Sequence, residues 1–158
     1  MQSLTQSDLA DIFSSKMAEI GRPELDHVDW GVLDYFGWVH PAGHSGYVVM
    51  DVQGELRGMT LRRMLNHGTK PRTHMCSWCH HVYRGHGTAM FTAKVEGSEG
   101  RRSIGNYICK NLDCSLRIRN LASDPPTYLP ETLDLDQKVV RLQIAILSFM
   151  TRANVITT

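Results

Sequence analysis

Four cysteines in two close pairs constrain this chain more than any other feature of its sequence. The first pair is Cys76 and Cys79, the second is Cys109 and Cys114, and 29 residues separate the pairs. Two close pairs with no cysteine left over are the sequence pattern of a closed tetrahedral zinc site. The pattern therefore predicts one structural Zn²⁺ ion held by these four thiolates.

Two disulfides, or four inert buried thiols, are the alternative interpretations of the same cysteines. The first residues lack the basic and apolar regions of a secretory signal, and no stretch is long enough to span a membrane. We therefore expect a cytoplasmic protein, in which thiols stay reduced and paired cysteines bind metal. A histidine could also replace one cysteine, and the candidates are His67, His74, His80, His81 and His86.

Chemistry at the zinc ion is not expected from this ligand set. Four thiolates leave no open coordination position, so the metal should hold structure and should not activate water. A nuclease on the same kind of finger would need a general-base histidine and a second metal site, and no motif supplies them. The chain also has no glycine-rich phosphate loop. We therefore expect a binding protein and not an enzyme.

The net charge of +1 conceals a strong asymmetry along the chain. Residues 1–56 carry a net charge of −7, residues 57–119 carry +9, and residues 120–158 carry −1. The basic block surrounds the cysteines, and it stays basic after a zinc ion with four thiolates adds about −2. Such a segment predicts an acidic partner surface, either RNA or an acidic protein.

The first half of the chain is predicted to form a helix and a small sheet. Apolar residues at helical spacing predict a helix over residues 5–20, with Thr5 and Asp8 as a capping box. Aromatic and β-branched runs between glycine-containing turns predict an antiparallel β-meander within residues 32–60. Residues 61–67 are expected to form a short helix that ends before a glycine.

The cysteine region is predicted to form a knuckle, a hairpin and a helix. We expect a β-hairpin around residues 85–87, followed by a strand that ends at Cys109. Cys114 is expected in the first turn of a helix over residues 112–121, whose N-terminus stabilises anionic sulfur. This order of elements is that of a treble-clef zinc finger.

A last amphipathic helix is predicted over residues 134–152. Its buried face is expected to contain Leu135, Val139, Leu142, Ile146 and Phe149. The spacing runs for about two heptads, so packing on the protein's own sheet is favoured over a helical dimer, and we expect a monomer. Together the elements predict an α+β fold, with a meander and a zinc finger packed between terminal helices.

The residues around both cysteine pairs resemble a known family. They are Cys76-Ser-Trp-Cys79, residues 88–94, Gly105-Asn-Tyr-Ile-Cys109 and Asp113-Cys-Ser-Leu-Arg-Ile-Arg119. These stretches resemble the FBP-type C-terminal treble-clef zinc finger of FusB-like proteins. The phrase around the second cysteine pair is far more specific than the first pair alone, and the resemblance extends from the meander near Trp38 to the final helix near Phe149. It implies that the four cysteines are zinc ligands, that the protein binds elongation factor G or the ribosome, and that the family is linked to fusidic acid resistance.

The resemblance also implies a domain organisation. Residues 1–30 are expected to form an N-terminal helical segment, and residues 31–158 an FBP-like domain. That domain would comprise the meander (31–68), the treble-clef finger (72–121) and the C-terminal helix (131–154). Family members of the resistance type carry a larger helical bundle ahead of this domain.

A partner is expected to contact the finger through basic side chains and an aromatic anchor, because arginine and tryptophan are favoured at interface hot spots. The candidates are Trp78, Arg84, Lys94, Arg101, Arg102, Lys110, Arg117 and Arg119. Phe91 is expected in the core, and Tyr107 is expected to pack against the zinc site. Binding of RNA or DNA through the same surface is the alternative to binding a translation factor.

Overall fold

The structure is a computed structural model that describes residues 1–15, 17–64, 73–122, 129 and 131–156. Its elements in chain order are α1 (Gln6–Phe13), a 3-10 turn (Trp30–Val32), β1 (Phe36–Val39), β2 (Ser45–Val52), β3 (Glu55–Met64), β4 (Thr73–Met75), β5 (Val82–Arg84), β6 (Thr88–Lys94), β7 (Ser103–Cys109), α2 (Cys114–Ile118) and α3 (Leu135–Arg152). Antiparallel strands with flanking helices confirm the predicted α+β class.

One five-stranded antiparallel sheet joins the predicted meander and the predicted finger. Its strand order is β1-β2-β3-β6-β7, and β4 and β5 form a separate two-stranded sheet. The turn between β2 and β3 is made by Gln53 and Gly54, both with positive φ, as in the type I′ turns that suit hairpins. Because β3 pairs with β6, the hairpin of β6 and β7 continues the sheet that β1 begins.

The two faces of this sheet are covered by different clusters. Along β2, Tyr47 and Val49 point to one face, and Val48 and Met50 point to the other. The N-terminal cluster, on the first face, consists of the buried residues Leu4, Leu9, Ile20, Phe36, Trp38, Tyr47 and Val49. The zinc-side cluster, on the second face, includes the four cysteines, Trp78, Phe91, and the buried face of α3.

Helix α1 is shorter than the sequence predicts. The capping box of Thr5 and Asp8 is confirmed, but the helix ends at Phe13, and Ser14 takes a left-handed conformation. Ile20 is nevertheless 2% exposed, and its carbonyl accepts a hydrogen bond from Trp38 Nε1 at 2.7 Å. The helical periodicity therefore found buried residues correctly, but the later ones reach the core through irregular backbone.

The helix predicted over residues 61–67 is wrong for residues 61–64, because β3 continues through Met64. Leu61 is fully buried in the zinc-side cluster, while Arg62 on the opposite face is exposed and pairs in register with Thr92 of β6. Alternation of this kind marks a half-buried strand. The rest of the predicted helix lies outside the described residues.

Helix α3 occupies the predicted range. Asp134 caps it, and Gln137 completes a capping box. Leu142, Ile146 and Phe149 are buried as predicted, whereas Leu135 is 45% exposed because it is the first residue of the helix. No helix in the described part of the chain combines the length and the apolar composition needed to cross a bilayer.

Candidate metal centre

The first cysteine pair lies in a tight knuckle between β4 and β5. The N–H of Cys76 donates to the carbonyl of His81 at 2.9 Å, and the N–H of His80 donates to the carbonyl of Cys76 at 3.0 Å. The N–H groups of Trp78 and Cys79 lie 3.4 and 3.5 Å from Cys76 Sγ. The turn thus brings both sulfur atoms to one side and aims donors at the first of them, which favours its thiolate.

The hairpin predicted around residues 85–87 is wrong. β5 pairs with β4, and β6 pairs with β3 and β7, so the chain passes from one sheet to the other at these residues. A Cβ at Gly87 would overlap the ring of Tyr83, so only glycine lets the chain pass beneath that ring. The knuckle sheet of a treble clef is therefore built by β4 and β5, and the second hairpin by β6 and β7.

The second cysteine pair lies where the sequence predicts it. Cys109 ends β7, and Cys114 begins α2, which is a helix of five residues and shorter than predicted. Between them Leu112 takes a positive φ of 59°. The hydroxyl of Tyr35, which comes from outside the finger, donates to the carbonyl of Leu112 at 2.7 Å and accepts from the N–H of Cys114 at 3.2 Å. No feature of the sequence indicated this role of Tyr35.

The four sulfur atoms fit a single zinc ion. The Sγ atoms of Cys76 and Cys114 are 3.7 Å apart, those of Cys79 and Cys109 are 3.5 Å apart, and all four lie within 4.8 Å of one another. A tetrahedron with Zn–S bonds of about 2.3 Å has sulfur atoms ~3.8 Å apart. The distances are too long for disulfide bonds, so the alternative of two disulfides is wrong.

No histidine among the described residues takes part in this cluster. Among the described residues, the four cysteines form the sole group of three or more side chains placed to share a metal. His74, His80, His81 and His86 do not join it, and His67 lies outside the described residues. Because all four donors are cysteine sulfur atoms and all are buried, the site belongs to the structural class of zinc sites.

Burial and hydrogen bonding act differently on the pKa values of Cys76, Cys109 and Cys114. Burial opposes ionisation of Cys76, but hydrogen bonds from the other three thiols outweigh it and hold the pKa of Cys76 well below its ordinary value. Burial raises the pKa values of Cys109 and Cys114 well above theirs. Because zinc binds thiolates, binding of the ion must displace the protons of the buried thiols.

A tyrosine of the knuckle sheet supports the second pair. The hydroxyl of Tyr83 donates to Cys109 Sγ at 3.0 Å. Burial, together with the negative charge of Cys109, raises the pKa of Tyr83. Its hydroxyl therefore keeps its proton and remains a donor to the sulfur, as groups around metal ligands commonly do.

Two partly buried polar contacts link the helices to the residues around the metal centre. The Arg141 side chain of α3 donates to the carbonyl of Cys79 at 2.9 Å and pairs with Glu131 at 2.9 Å. The Arg119 guanidinium lies 2.6 and 3.2 Å from the two oxygens of Asp34, ahead of β1. In the sequence, these charged residues look like those of an ordinary solvent-exposed surface, so neither contact was predicted.

The comparisons with known proteins agree with this geometry. Residues 7–153 match the model of the FBP C-terminal treble-clef zinc-finger family. The chain belongs to this family. The match begins in α1, so it is longer than the resemblance that the residues suggested, and the four cysteines are its site for one structural zinc ion.

A solved structure of the fusidic acid resistance protein FusC has a similar fold. It aligns with a TM-score of 0.60 and 18% sequence identity, over 96% of this chain and 59% of that chain. The family member described here thus spans less than two thirds of the length of FusC. No curated protein matches the chain.

Trp78 was predicted as an aromatic anchor on the surface, and this prediction is wrong. Its side chain is fully buried, between the ring of Tyr35 at 5.9 Å and the ring of Phe149 at 5.7 Å. The knuckle points this side chain inward, where it fills the space between the finger and α3. Phe91 is buried, as predicted.

Two of the predicted basic contacts are also wrong. The side chain of Arg117 is 2% exposed, pairs with Asp113 at 2.9 Å, and lies 4.9 Å from the centre of the Tyr83 ring. The side chain of Arg119 is 16% exposed and pairs with Asp34. Internal carboxylates thus neutralise both charges. The four-residue spacing from Asp113 to Arg117 was the one signal in the sequence for such a pair.

The remaining basic candidates lie at or near the surface. Lys110 is partly buried, and the exposed residues are Arg84, Lys94, Arg101 and Arg102.

Tyr107 is 37% exposed and stacks on His74 at 5.4 Å, so it does not pack against the zinc site as predicted. The reason is its position in β7: its side chain points to the face opposite that of buried Ile108.

Proposed function

We propose that this protein is a non-catalytic, zinc-stabilised binding protein that contacts elongation factor G through the outer surface of its finger. Membership of the FBP family supports the proposal, since the resemblance implies that resistance proteins of this family bind that factor. The solved structure with a similar fold is that of a fusidic acid resistance protein. The observation that carries the proposal is the closed metal site beneath an exposed basic surface.

The closed site assigns the metal a structural role. Four buried cysteine ligands would fill the tetrahedral coordination sphere of a zinc ion, so no position is left for water or substrate. The ion joins the knuckle, the end of β7 and the start of α2, each of which is too short to be stable alone. Function therefore falls to side chains on the outside of the finger.

The outside of the finger offers positive charge from neighbouring strands. Lys94 pairs in register with Ser103, and the N–H of Val95 donates to the carbonyl of Arg102 at 3.0 Å. Lys94 and Arg102 therefore lie on neighbouring strands at the same end of the β6–β7 hairpin, on alternate faces of it. Both residues are exposed, whereas Arg101 pairs with Glu99. Positive side chains placed in this way steer and orient an acidic partner surface.

A matched pair of charge reversals tests the proposal. Calorimetric titration with elongation factor G from the same organism should give binding to the wild-type chain. The double variant Lys94→Glu/Arg102→Glu should bind at least about tenfold more weakly, because opposite charges are replaced by like charges. The double variant Arg22→Glu/Arg57→Glu makes the same change in net charge outside the finger and should bind normally.

Each result of this titration has a clear meaning. Zinc content must equal one ion per chain in all proteins, so that a folding defect is not mistaken for a lost contact. No binding of the wild-type chain to the factor would refute the proposal. Equal weakening by both double variants would show that net charge, and not the finger, governs the affinity.

Binding of single-stranded RNA is a second candidate function, favoured by exposed side chains on one face of β3, β6 and β7. Tyr107 is exposed there, and the register places Met90 beside it and Arg62 beside Thr92. Aromatic and basic side chains on an open sheet can stack bases and contact phosphates. RNA affinity should then fall steeply with salt, and Tyr107→Ala should cost about 1–3 kcal/mol of binding free energy. Salt-independent binding, or no binding, would exclude this function.

A further inference from the structure

A groove of about 820 Å³ lies between α3 and the edge strand β7. β7 is the last strand of the five-stranded sheet, so in the described part of the chain no strand pairs with its outer edge. The lining includes Ser77 of the knuckle, Asn106 of β7, and Val140 and Ile144 of α3. The zinc ligands and the basic residues predicted to contact a partner do not line it, and Arg141, which does, is paired with Glu131. The groove therefore requires its own explanation.

Backbone hydrogen bonds at both ends of β7 show which of its groups face the neighbouring strand β6. The N–H of Lys110 donates to the carbonyl of Gly87, and the carbonyl of Arg102 accepts from the N–H of Val95, both at 3.0 Å. In an antiparallel sheet, the N–H and the C=O of one residue point towards the same side of the strand, and those of the next residue point towards the opposite side. The even-numbered residues of β7 therefore bond to β6.

The odd-numbered residues of β7 consequently direct their backbone groups outward. The carbonyl of Tyr107 agrees with this, because it accepts a hydrogen bond from the N–H of Ser77 in the knuckle at 2.8 Å. Both Ser103 and Gly105 are exposed. The outer edge thus presents the N–H and C=O groups of Ser103 and Gly105 and the N–H of Tyr107, which is a short template for one more strand.

The opposite wall of the groove, on α3, carries two exposed apolar side chains among polar ones. Val140 is 54% exposed and Ile144 is 61% exposed, one turn apart on α3. A strand added to β7 would direct alternate side chains towards this wall. An extended segment with apolar residues at alternate positions therefore has both a backbone partner and a side-chain partner here.

The charges at the two ends of the groove give the segment a direction. Asp136 lines the end near the knuckle and Arg152 lines the other end. The N–H of Glu96 donates to the carbonyl of Ala153 at 2.9 Å, so the C-terminus of α3 lies beside the turn that precedes Ser103. A segment antiparallel to β7 would run from Asp136 towards Arg152. Its C-terminal side would then meet a positive charge.

We propose that this groove binds an extended segment of a partner protein by strand addition to β7. The segment runs antiparallel to β7, buries alternate apolar side chains against Val140 and Ile144, and places an acidic residue or a terminal carboxylate beside Arg152. This inference goes beyond the proposed function, because it concerns a separate surface and a different kind of contact.

A second copy of the chain fits the edge less well than a short segment. Antiparallel pairing of two β7 strands about Gly105 would set Ser103 of one chain against Tyr107 of the other. The carbonyl of Tyr107 is already bonded to Ser77, and the knuckle occupies the space beside it. A free segment can leave the edge before this point, whereas a second folded copy cannot.

Peptide display on the zinc-loaded full-length chain tests the proposal. Random short peptides with free C-termini are selected on the wild-type protein, and one enriched peptide is synthesised for fluorescence anisotropy. We expect enriched sequences that alternate apolar and polar residues and carry an acidic group at the C-terminal side. Ile144→Glu should weaken binding of the synthetic peptide about tenfold or more, because it places a charge in the apolar wall.

Two matched pairs of variants separate this contact from general effects. Ser103→Pro removes an outward N–H without disturbing the bonds to β6, and should weaken binding about tenfold, whereas Ser103→Ala keeps the N–H and should not. Leu121→Glu changes an exposed leucine outside the groove and should bind as the wild type does. If Ser103→Pro fails to fold, as judged by circular dichroism and zinc content, Ile144→Glu against Leu121→Glu decides.

Three results would overturn the proposal. They are no enrichment over a blank surface, peptide binding that Ile144→Glu leaves unchanged, and a dimer in light scattering that Ile144→Glu dissociates, which would make a second copy the occupant. The Lys94→Glu/Arg102→Glu variant should retain the peptide. Failure of the elongation factor G titration would therefore leave this result standing, and the reverse also holds.

Discussion

The two faces of the sheet reach an ordered core by different means. On the N-terminal face, Trp38 stacks on Tyr47 at 5.0 Å and meets the edge of Phe13 at 5.6 Å, so long strands and large rings suffice. On the zinc side, the knuckle strands have three residues each and α2 has five. Elements this short are not stable alone, and the metal site joins them. Side-chain packing is enough to order the long elements, whereas the short elements also need the bonds to the metal.

The two central tryptophans show the same contrast. The indole N–H of Trp38 donates to the carbonyl of Ile20 at 2.7 Å. The indole N–H of Trp78, also buried, has no hydrogen-bond partner among the described residues. The N-terminal cluster therefore combines packing with satisfied polar tips, whereas Trp78 contributes to the zinc side through packing alone.

Loss of the metal should have the largest effect, and it should destabilise the zinc side of the sheet more than the N-terminal side. Cys114→Ser removes a ligand, and zinc binding at such sites contributes about 10–16 kcal/mol of apparent folding free energy. We expect the amides of the knuckle and α2 to lose protection from hydrogen exchange, while those of β1 and β2 stay protected. Chelation, and acidification that protonates the thiolates, should act in the same direction.

Ser77→Ala is the matched control for the ligand substitution. It changes a neighbouring exposed side chain and keeps the backbone N–H that bonds to Tyr107. It should retain zinc and full protection. Loss of protection in β1 and β2 of the Cys114→Ser protein would show that the N-terminal face depends on the metal, and the contrast between the faces would fail.

Removal of the partly buried ion pair between Arg119 and Asp34 should rank second. Arg119→Met leaves the carboxylate of Asp34, 4% exposed, without its partner, which should lower the free energy of unfolding by about 3 kcal/mol. Arg101→Met breaks the fully exposed pair with Glu99 and should cost less than about 1 kcal/mol. Urea unfolding measures both values, and equal costs would contradict the role of the buried pair.

The tryptophan pair should show a smaller difference. Trp38→Phe and Trp78→Phe remove similar volume, but only the first leaves a buried carbonyl, that of Ile20, without its donor. We expect Trp38→Phe to be the more destabilising variant by about 1–3 kcal/mol in the same urea experiment. Equal losses would mean that packing alone holds both faces.

Backbone strain should give the smallest effect on each face. His80 in the knuckle and Gln53 in the β2–β3 turn both have positive φ, at 59° and 56°. Glycine adopts this region without steric cost, so His80→Gly and Gln53→Gly should each raise the free energy of unfolding by about 0.5–1 kcal/mol. Thermal unfolding with a zinc assay measures the change. A destabilised His80→Gly protein would reveal a contact of the imidazole that outweighs the strain.

Patterns that depend on near neighbours could be predicted from the sequence. The spacing of the cysteines predicted the metal site, the capping box of Thr5 and Asp8 predicted the start of α1, and Gly54 lies in a predicted turn of the meander. Each of these rests on chemistry within a few residues of chain. Local rules failed at residues 61–64, because hydrogen bonds to a strand far along the sequence extend β3.

Charges and aromatic rings around the metal centre could not be placed from the sequence. Arg117 and Trp78 are polar or amphipathic residues that occur at surfaces as readily as in cores, and here internal partners bury both. Tyr35 contacts the second cysteine pair although it lies 79 positions before Cys114 in the sequence.

The sequence by itself therefore determined that this chain binds zinc through four cysteines within an α+β fold, because ligand type and spacing are properties of short segments. Only the tertiary structure decided which strands share a sheet, which basic side chains remain outside, and that β7 keeps an open edge beside an apolar helix face. All three features depend on contacts between residues that are distant in the sequence. Those contacts are determined by the packing of the whole chain.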